Sequence, residues 1–189
     1  PIVDVIVPNF NKGKFLKRCL ESVVNQTYKK WRLIIIDDNS TDNSLHILKN
    51  FKNKKKIKII KLAKNKGPSF CRNLGMKNSN NNYIAFLDSD DIWKSNKLYD
   101  QLKYMIQNKY NFTYSDYCTF YENDKKILKK NSTNLKDSFN YEEFILNSSI
   151  NSSTMIIKRK ILKGIKFKKL TLLEDYVFKC QVLKKKIHS

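Results

Sequence analysis

Glycine is scarce in this chain, with only four in 189 residues. Gly13 alone lies near the first strand-like segment, so no glycine-rich phosphate loop is expected there. No apolar run approaches the roughly 20 residues that a membrane span needs. The first apolar stretch is short, strand-like and broken by Asp4, so no secretory leader is expected either. The four cysteines, Cys19, Cys71, Cys118 and Cys180, form no CxxC pair. That spacing argues against a zinc site and for reduced thiols in a cytoplasmic protein. No linker, composition break or internal repeat divides the chain. Its length suits one domain with a sizeable core, and we take residues 1–189 as that domain.

Acidic residues are also scarce, 17 against 38 basic ones, for a net charge of +21. Such a charge speaks to partners and not to fold. Nucleic acid, an anionic membrane surface and plain compositional bias all compete to explain it. Lysine far outnumbers arginine, whereas base-reading and bidentate phosphate sites favour arginine. Nucleic acid therefore ranks below bias combined with attraction to an anionic membrane. The lysine-rich stretch 49–66 reads most simply as a solvated helix end and loop.

Strand-like and helix-like segments alternate through the first hundred residues. Ile2 to Val7, Leu33 to Ile36, Ile57 to Leu62 and Tyr83 to Leu87 read as buried strands. Phe15, Leu16, Cys19, Leu20, Val23 and Val24 recur at helical spacing. Leu45 and Leu48 mark a second helix, with Ser40 or Thr41 as its cap. Gly67-Pro68 opens a third helix and Leu98, Leu102 and Met105 mark a fourth. This alternation predicts an α/β fold with a mostly parallel sheet covered by helices on both faces. The second half reads as smaller and mixed. Phe112 to Tyr121 is strand-like, Lys125 to Lys130 a hairpin partner, Tyr141 to Leu146 a short helix and Thr154 to Ile157 a strand. Leu172-Leu173-Glu174-Asp175 leads into an apolar helix.

In parallel sheets of this kind, ligands bind beyond the carboxyl ends of the strands. Three polar clusters fall there: Pro8-Asn9-Phe10-Asn11, Asp37-Asp38-Asn39-Ser40 and Asp88-Ser89-Asp90. If the last continues a strand, Asp88 and Asp90 project to one side. Paired carboxylates without a neighbouring base suit a hard divalent cation, which commonly brings phosphates with it. A polar turn with helix-capping aspartates is the plainer alternative.

In order, these pieces resemble the family-2 glycosyltransferases, which have the Rossmann-like GT-A fold. The resemblance rests on Val5-Ile6-Val7-Pro8-Asn9-Phe10-Asn11, Leu20-Glu21-Ser22-Val23-Val24-Asn25-Gln26-Thr27-Tyr28 and Ile36-Asp37-Asp38-Asn39-Ser40-Thr41-Asp42. It continues through Asn65-Lys66-Gly67-Pro68-Ser69, Arg72-Asn73, Tyr83 to Asp91, and Glu174-Asp175. It implies a donor-binding half at 1–100 and an acceptor-side half at 101–189. It also implies a cytoplasmic enzyme, peripheral at the inner face of the membrane. That enzyme moves one sugar, with inversion, from a UDP-sugar to a glycan or lipid-linked acceptor in surface polysaccharide biosynthesis.

The resemblance also implies residue roles. Pro8 and Phe10 would line the base pocket and Asp38 would accept a hydrogen bond from the base. Arg72 would lie near the pyrophosphate, where a guanidinium fits phosphate oxygens in bidentate fashion. Asp88 would contact ribose or sugar, with Ser89 beside it in the nucleotide site. Asp90 would ligate a Mn2+ or Mg2+ ion, and Asp175 would be the general base. Plainer roles stand beside these: caps for Asp37-Asp38, a surface salt bridge for Arg72, a helix cap for Asp91, and favourable helix-start charge for Glu174-Asp175.

The chain departs from the family pattern in several places. Asn9-Phe10 replaces the usual Thr-Tyr, which keeps an aromatic face and loses a hydroxyl. Lys12-Gly13-Lys14 stands where an acidic residue is common. The chain ends soon after Asp175, so it is either a truncated piece or depends on something else for acceptor binding. The Gln-x-x-Arg-Trp motif of processive synthases is absent, which favours transfer of a single sugar. Two alternatives remain: a nucleotidyltransferase on the same fold, which the glycine shortage disfavours, and a non-catalytic nucleotide- or polyanion-binding module.

Overall fold

A computed structural model describes residues 1–52, 55–123, 126–146, 150–170 and 173–185. Two apolar clusters sandwich one sheet. The strands that build the sheet first are β1 (Val3–Asn9), β2 (Trp31–Asp37), β3 (Ile57–Lys61) and β4 (Tyr83–Phe86). The residues of β1, β2 and β4 are buried on both faces, as a parallel sheet covered by helices requires, while the edge strand β3 exposes Lys58 and Lys61. They lie side by side and parallel in the order β3-β2-β1-β4.

Helices α1 (Gly13–Val24), α2 (Ser44–Lys49) and α4 (Lys97–Gln107) cover one face, packed on Val3, Val5, Val7, Leu33 and Ile35. Helix α3 (Pro68–Lys77) lies on the other, against Ile6, Ile34 and Ile36. There it joins α5 (Tyr141–Leu146) and α6 (Glu174–Lys184).

The second half completes the sheet in the opposite sense. Strand β8 (Ile156–Lys158) runs antiparallel to β4, and β5 (Phe112–Thr113) antiparallel to β8. The expected strand from Phe112 to Tyr121 is thus two elements, because β6 (Tyr117–Asn123) leaves the sheet to pair with β7 (Lys126–Thr133). Thr154 belongs to a tight 3-10 turn, Ser152–Thr154, and not to the strand expected there. Lys125 and Leu172 of the expected hairpin and helix entry lie outside the described residues. The halves are joined by aromatics: Phe167 stacks on Phe178 of α6 with centroids 3.9 Å apart, and both meet Phe86 of β4 edge-on.

The N-cap position of α2 is Asn43, and the side chain that meets the helix start is Asp42, not Ser40 or Thr41. One Asp42 oxygen accepts the Ser44 N–H at 2.9 Å and the other the Gly13 N–H at 2.8 Å. Ser40 is drawn inward instead, to Asp37 and Asn9.

Candidate active site

The carboxyl end of the sheet is shaped by asparagines. Asn11 and Asn39 both take the left-handed backbone conformation, φ 51° and 64°, just after β1 and β2. Asparagine tolerates that region better than most side chains. Leu173, with φ 64°, makes the same turn into α6, where a leucine is strained. These turns aim three loops at one edge.

The β2 acids are held by neutral donors. Asp37 accepts from Asn9 Nδ2 at 2.8 Å, Ser40 Oγ at 2.7 Å and the Ser40 N–H at 3.1 Å. Asp38 accepts the Lys66 N–H at 2.7 Å and the Gly67 N–H at 2.8 Å, one on each oxygen. Neither caps α2. Asp38 fixes the loop that opens α3, and each of its oxygens keeps a lone pair for a further donor. Pro8 is buried within β1, opposite Ile36, while Phe10 stands exposed beyond the strand.

The β4 acids are held differently. Strand β4 stops at Phe86, so strand alternation does not govern Asp88 and Asp90. The chain turns, with the Asp91 N–H donating to the Asp88 carbonyl at 3.0 Å, and buried Ser89 lies within that turn. Each acid then finds its own partner. Asp88 takes Arg72 Nη2 at 2.7 Å, Asp90 takes Lys12 Nζ at 2.7 Å, and Asp91 accepts Ser153 Oγ. Asp91 caps no helix. Burial raises its carboxyl above the usual range, against the Ser153 hydrogen bond, and neighbouring Asp88 and Asp90 add to the rise. Beneath the turn, Cys19 is buried, and burial and then the three acids push its thiol well up. It is an inert thiol.

Arg72 is no surface group. Its side chain is 7% exposed, reaches Asp88 on one side and Glu174 Oε1 at 3.5 Å on the other, and lies over the Phe167 ring. Burial disfavours its charge, yet Asp88 and Glu174 outweigh that and raise its pKa. Its Nε is buried with no hydrogen-bond partner among the described residues, which leaves one donor open. Arg72 therefore ties the end of β4, helix α3 and the start of α6 to one cation.

Asp175 follows Glu174 in the first turn of α6, where negative charge also suits the helix dipole. Its Oδ2 accepts Lys179 Nζ at 2.8 Å and Ser152 Oγ at 3.4 Å, and its Oδ1 the Tyr176 N–H at 2.8 Å. Burial works to raise its carboxyl, but the hydrogen bond and charge of Lys179 prevail and the pKa lies below the ordinary value.

Sequence reasoning missed Lys12, Ser153, Phe167 and Lys179. Lys179 had a visible signal, since it lies four residues after Asp175 on one helix. Ser153 had none, because 62 residues separate it from Asp91.

The described residues hold no group of three metal-ligating side chains. Asp90 is 40% exposed and presents a single carboxylate. A magnesium-type ion commonly takes one or two carboxylates and completes its shell with phosphates and water. The residues thus fit a cation that arrives with a diphosphate, and not an all-protein cage.

Residues 4–187 match the family model for glycosyl transferase family 2. The chain belongs to the family-2 glycosyltransferases. Glycosyl transfer is the chemistry of that family. The chain is 32% identical over 187 residues to an Escherichia coli protein, UDP-Glc:alpha-D-GlcNAc-diphosphoundecaprenol beta-1,3-glucosyltransferase WfgD, covering 97% of this chain and 70% of that one. Among solved structures, S. aureus TarS 1–349 in complex with UDP superposes with a TM-score of 0.79 at 23% identity. That match covers 98% of this chain, which spans only 56% of the TarS chain. The mannosyltransferase PcManGT from Pyrobaculum calidifontis, in complex with GDP-Man and Mn2+, gives 0.66 at 15% identity over 89% of this chain and 48% of its own. These likenesses establish the GT-A fold.

Proposed function

We propose that this glycosyltransferase moves one sugar from a UDP-sugar to a hydroxyl of a glycan or lipid-linked acceptor, with inversion, in surface polysaccharide biosynthesis. The observation that carries the reading is the Asp88–Arg72–Glu174 bridge. It gathers the β4 turn and the start of α6 around one cation, and so brings donor-side acids and Asp175 to one edge. The donor choice is supported by UDP in the TarS complex and in WfgD's name, which also supplies the lipid-linked acceptor class.

In this reading, Phe10 and Pro8 border the base and Asp38 accepts its N–H. Arg72 holds Asp88 in place and sets its positive charge near the incoming diphosphate. Asp90, with Ser89 in the same turn, holds Mn2+ or Mg2+. When bound, that ion would offset the charge that grows on the departing diphosphate. Asp175 takes the proton from the acceptor hydroxyl as its oxygen attacks the anomeric carbon. Attack from the face opposite the leaving group inverts that centre. The bond to the nucleoside diphosphate breaks in the same step.

Thermal unfolding with UDP, GDP, CDP and ADP, each with and without Mn2+, tests this. A ligand at about 100 times its dissociation constant adds about 2.7 kcal/mol, or about 5 to 10 °C in a domain of this size. The expected result is a rise with UDP that needs Mn2+ and disappears in Asp90→Asn. No nucleotide effect in either condition overturns the donor reading and leaves the polyanion-binding alternative.

Among the described residues no helix is long and apolar enough to cross a membrane. The net charge of +21 supports a cytoplasmic enzyme that is held at the inner membrane face by anionic lipid. Low-salt sedimentation should show tighter binding to anionic than to neutral vesicles, and equal binding removes this placement.

A further inference from the structure

The first turn of α6 carries two adjacent acids that are pulled apart. Glu174 turns to Arg72, and so to Asp88 and the donor side. Asp175 turns to Lys179, one helical turn on. Lys179 is the more deeply buried partner. Its side chain is 4% exposed against 35% for Asp175. A buried ammonium is costly unless it is paired and hydrogen-bonded. Lys179 meets that demand with two acceptors, Asp175 Oδ2 at 2.8 Å and the Ile150 carbonyl at 2.6 Å, and it also faces the Phe144 ring. The Ile150 contact anchors the ammonium to the segment leading into the turn Ser152–Thr154, and Ser152 Oγ approaches the same Asp175 oxygen.

We propose that Lys179 is a positioning residue for the base. It fixes the Asp175 carboxylate against the segment from Ile150 to Ser152 and keeps it ionised, so that Asp175 is ready to accept a proton. The proposal rests on the reading of Asp175 as the base.

The charged groups that act on Asp175 are few among the described residues. Lys179 and Glu174 lie on its own helix, and Arg72 reaches across from α3. Ser152 is neutral. Arg72 is already engaged by Asp88 and Glu174 and cannot replace Lys179 at Oδ2. Two outcomes follow from the arrangement. The carboxylate is held by one hydrogen bond on Oδ1 and by Lys179 and Ser152 on Oδ2, so its orientation is fixed before any acceptor arrives. Ionisation also extends to lower pH, since an adjacent positive charge favours the charged form. A base must be both deprotonated and within hydrogen-bond reach of the attacking hydroxyl. Lys179 serves both needs, at the cost of some intrinsic proton affinity.

The test is Lys179→Met, which keeps an unbranched apolar side chain and removes the charge. The carboxyl titration of Asp175 is followed by 13C NMR on the folded protein, its signal assigned by its loss in Asp175→Asn. UDP-glucose hydrolysis against pH is measured in parallel. The expected result is an upward move of the Asp175 midpoint in Lys179→Met. The acidic limb of the hydrolysis profile should move the same way and activity should recover at higher pH. A lower melting temperature with an unmoved midpoint would make Lys179 a structural strut only, and would overturn the proposal. If Lys179→Met does not fold, Lys179→Gln supplies the same two readouts with a neutral hydrogen-bonding group. Failure of the base reading looks different: Asp175→Asn would then keep its hydrolysis, whatever Lys179 does.

Discussion

Acids sit at both ends of the parallel sheet, but they are neutralised in different ways. At the amino end, Asp4 of β1 is fully buried and saturated. It accepts Arg32 Nε at 2.9 Å, the Asn80 and Asn81 N–H groups at 3.0 Å each and Asn81 Nδ2 at 2.8 Å. At the carboxyl end, Asp88, Asp90 and Asp175 each meet a side-chain cation on their own terms: Arg72, Lys12 and Lys179. Those three carboxylates remain partly exposed, between 29% and 40%. The difference teaches which acids are structural. An acid saturated by four donors in the interior, as Asp4 is, has nothing to exchange. An acid paired with a cation at an open edge can trade that partner for a metal, a phosphate or a hydroxyl.

The sharpest way to break this contrast is at Asp4. Asp4→Ala strips four hydrogen bonds from a buried site and leaves Arg32, itself only 27% exposed, without its carboxylate. Breaking a buried pair from one side costs roughly 3 to 5 kcal/mol. In a domain of this size that lowers the melting temperature by roughly 6 to 20 °C. Asp4→Asn should cost less, because its remaining oxygen still accepts. Calorimetry with UDP and Mn2+ should show the same nucleotide increment in Asp4→Asn as in the parent chain. A lost increment with an unchanged melting temperature would make Asp4 a ligand residue and dissolve the distinction.

Sequence showed the two ends unequally. Asp4 read only as an interruption in an apolar run, because its partners Arg32, Asn80 and Asn81 are distant in the chain. Strands β1, β2 and β4 were legible because burial on both faces writes apolar runs such as Leu33 to Ile36, and the edge strand β3 kept enough isoleucine to be read. The polar clusters after them were legible for the same reason, since a buried strand rarely ends in adjacent carboxylates. Strands β5 and β8 span two and three residues and carry too little pattern to fix their pairing. The candidate site residues came from motifs. What held them did not, because Ser153 reaches Asp91, and Phe167 and Glu174 reach Arg72, only through the tertiary fold. The alternation argument for Asp88 and Asp90 failed because the strand ends at Phe86, before either acid.

The smallest expected effect on stability is also the finest probe of the contrast. Lys12 and Asp90 are paired at 2.7 Å, but their side chains are 44% and 40% exposed. Such a pair is worth about 0 to 1 kcal/mol. Lys12→Ala and Asp90→Asn should therefore each keep the melting temperature within about 4 °C of the parent. Their ligand responses should diverge. Asp90→Asn loses the carboxylate and with it the Mn2+-dependent nucleotide effect. Lys12→Ala removes the cation that occupies Asp90, so Mn2+ titrated without nucleotide should bind tighter, by at most about fivefold. Calorimetric titration of Mn2+ into the two variants reads this directly. Equal Mn2+ affinity in the parent and in both variants would show that Asp90 exchanges no partner. It would then belong with Asp4 among the structural acids.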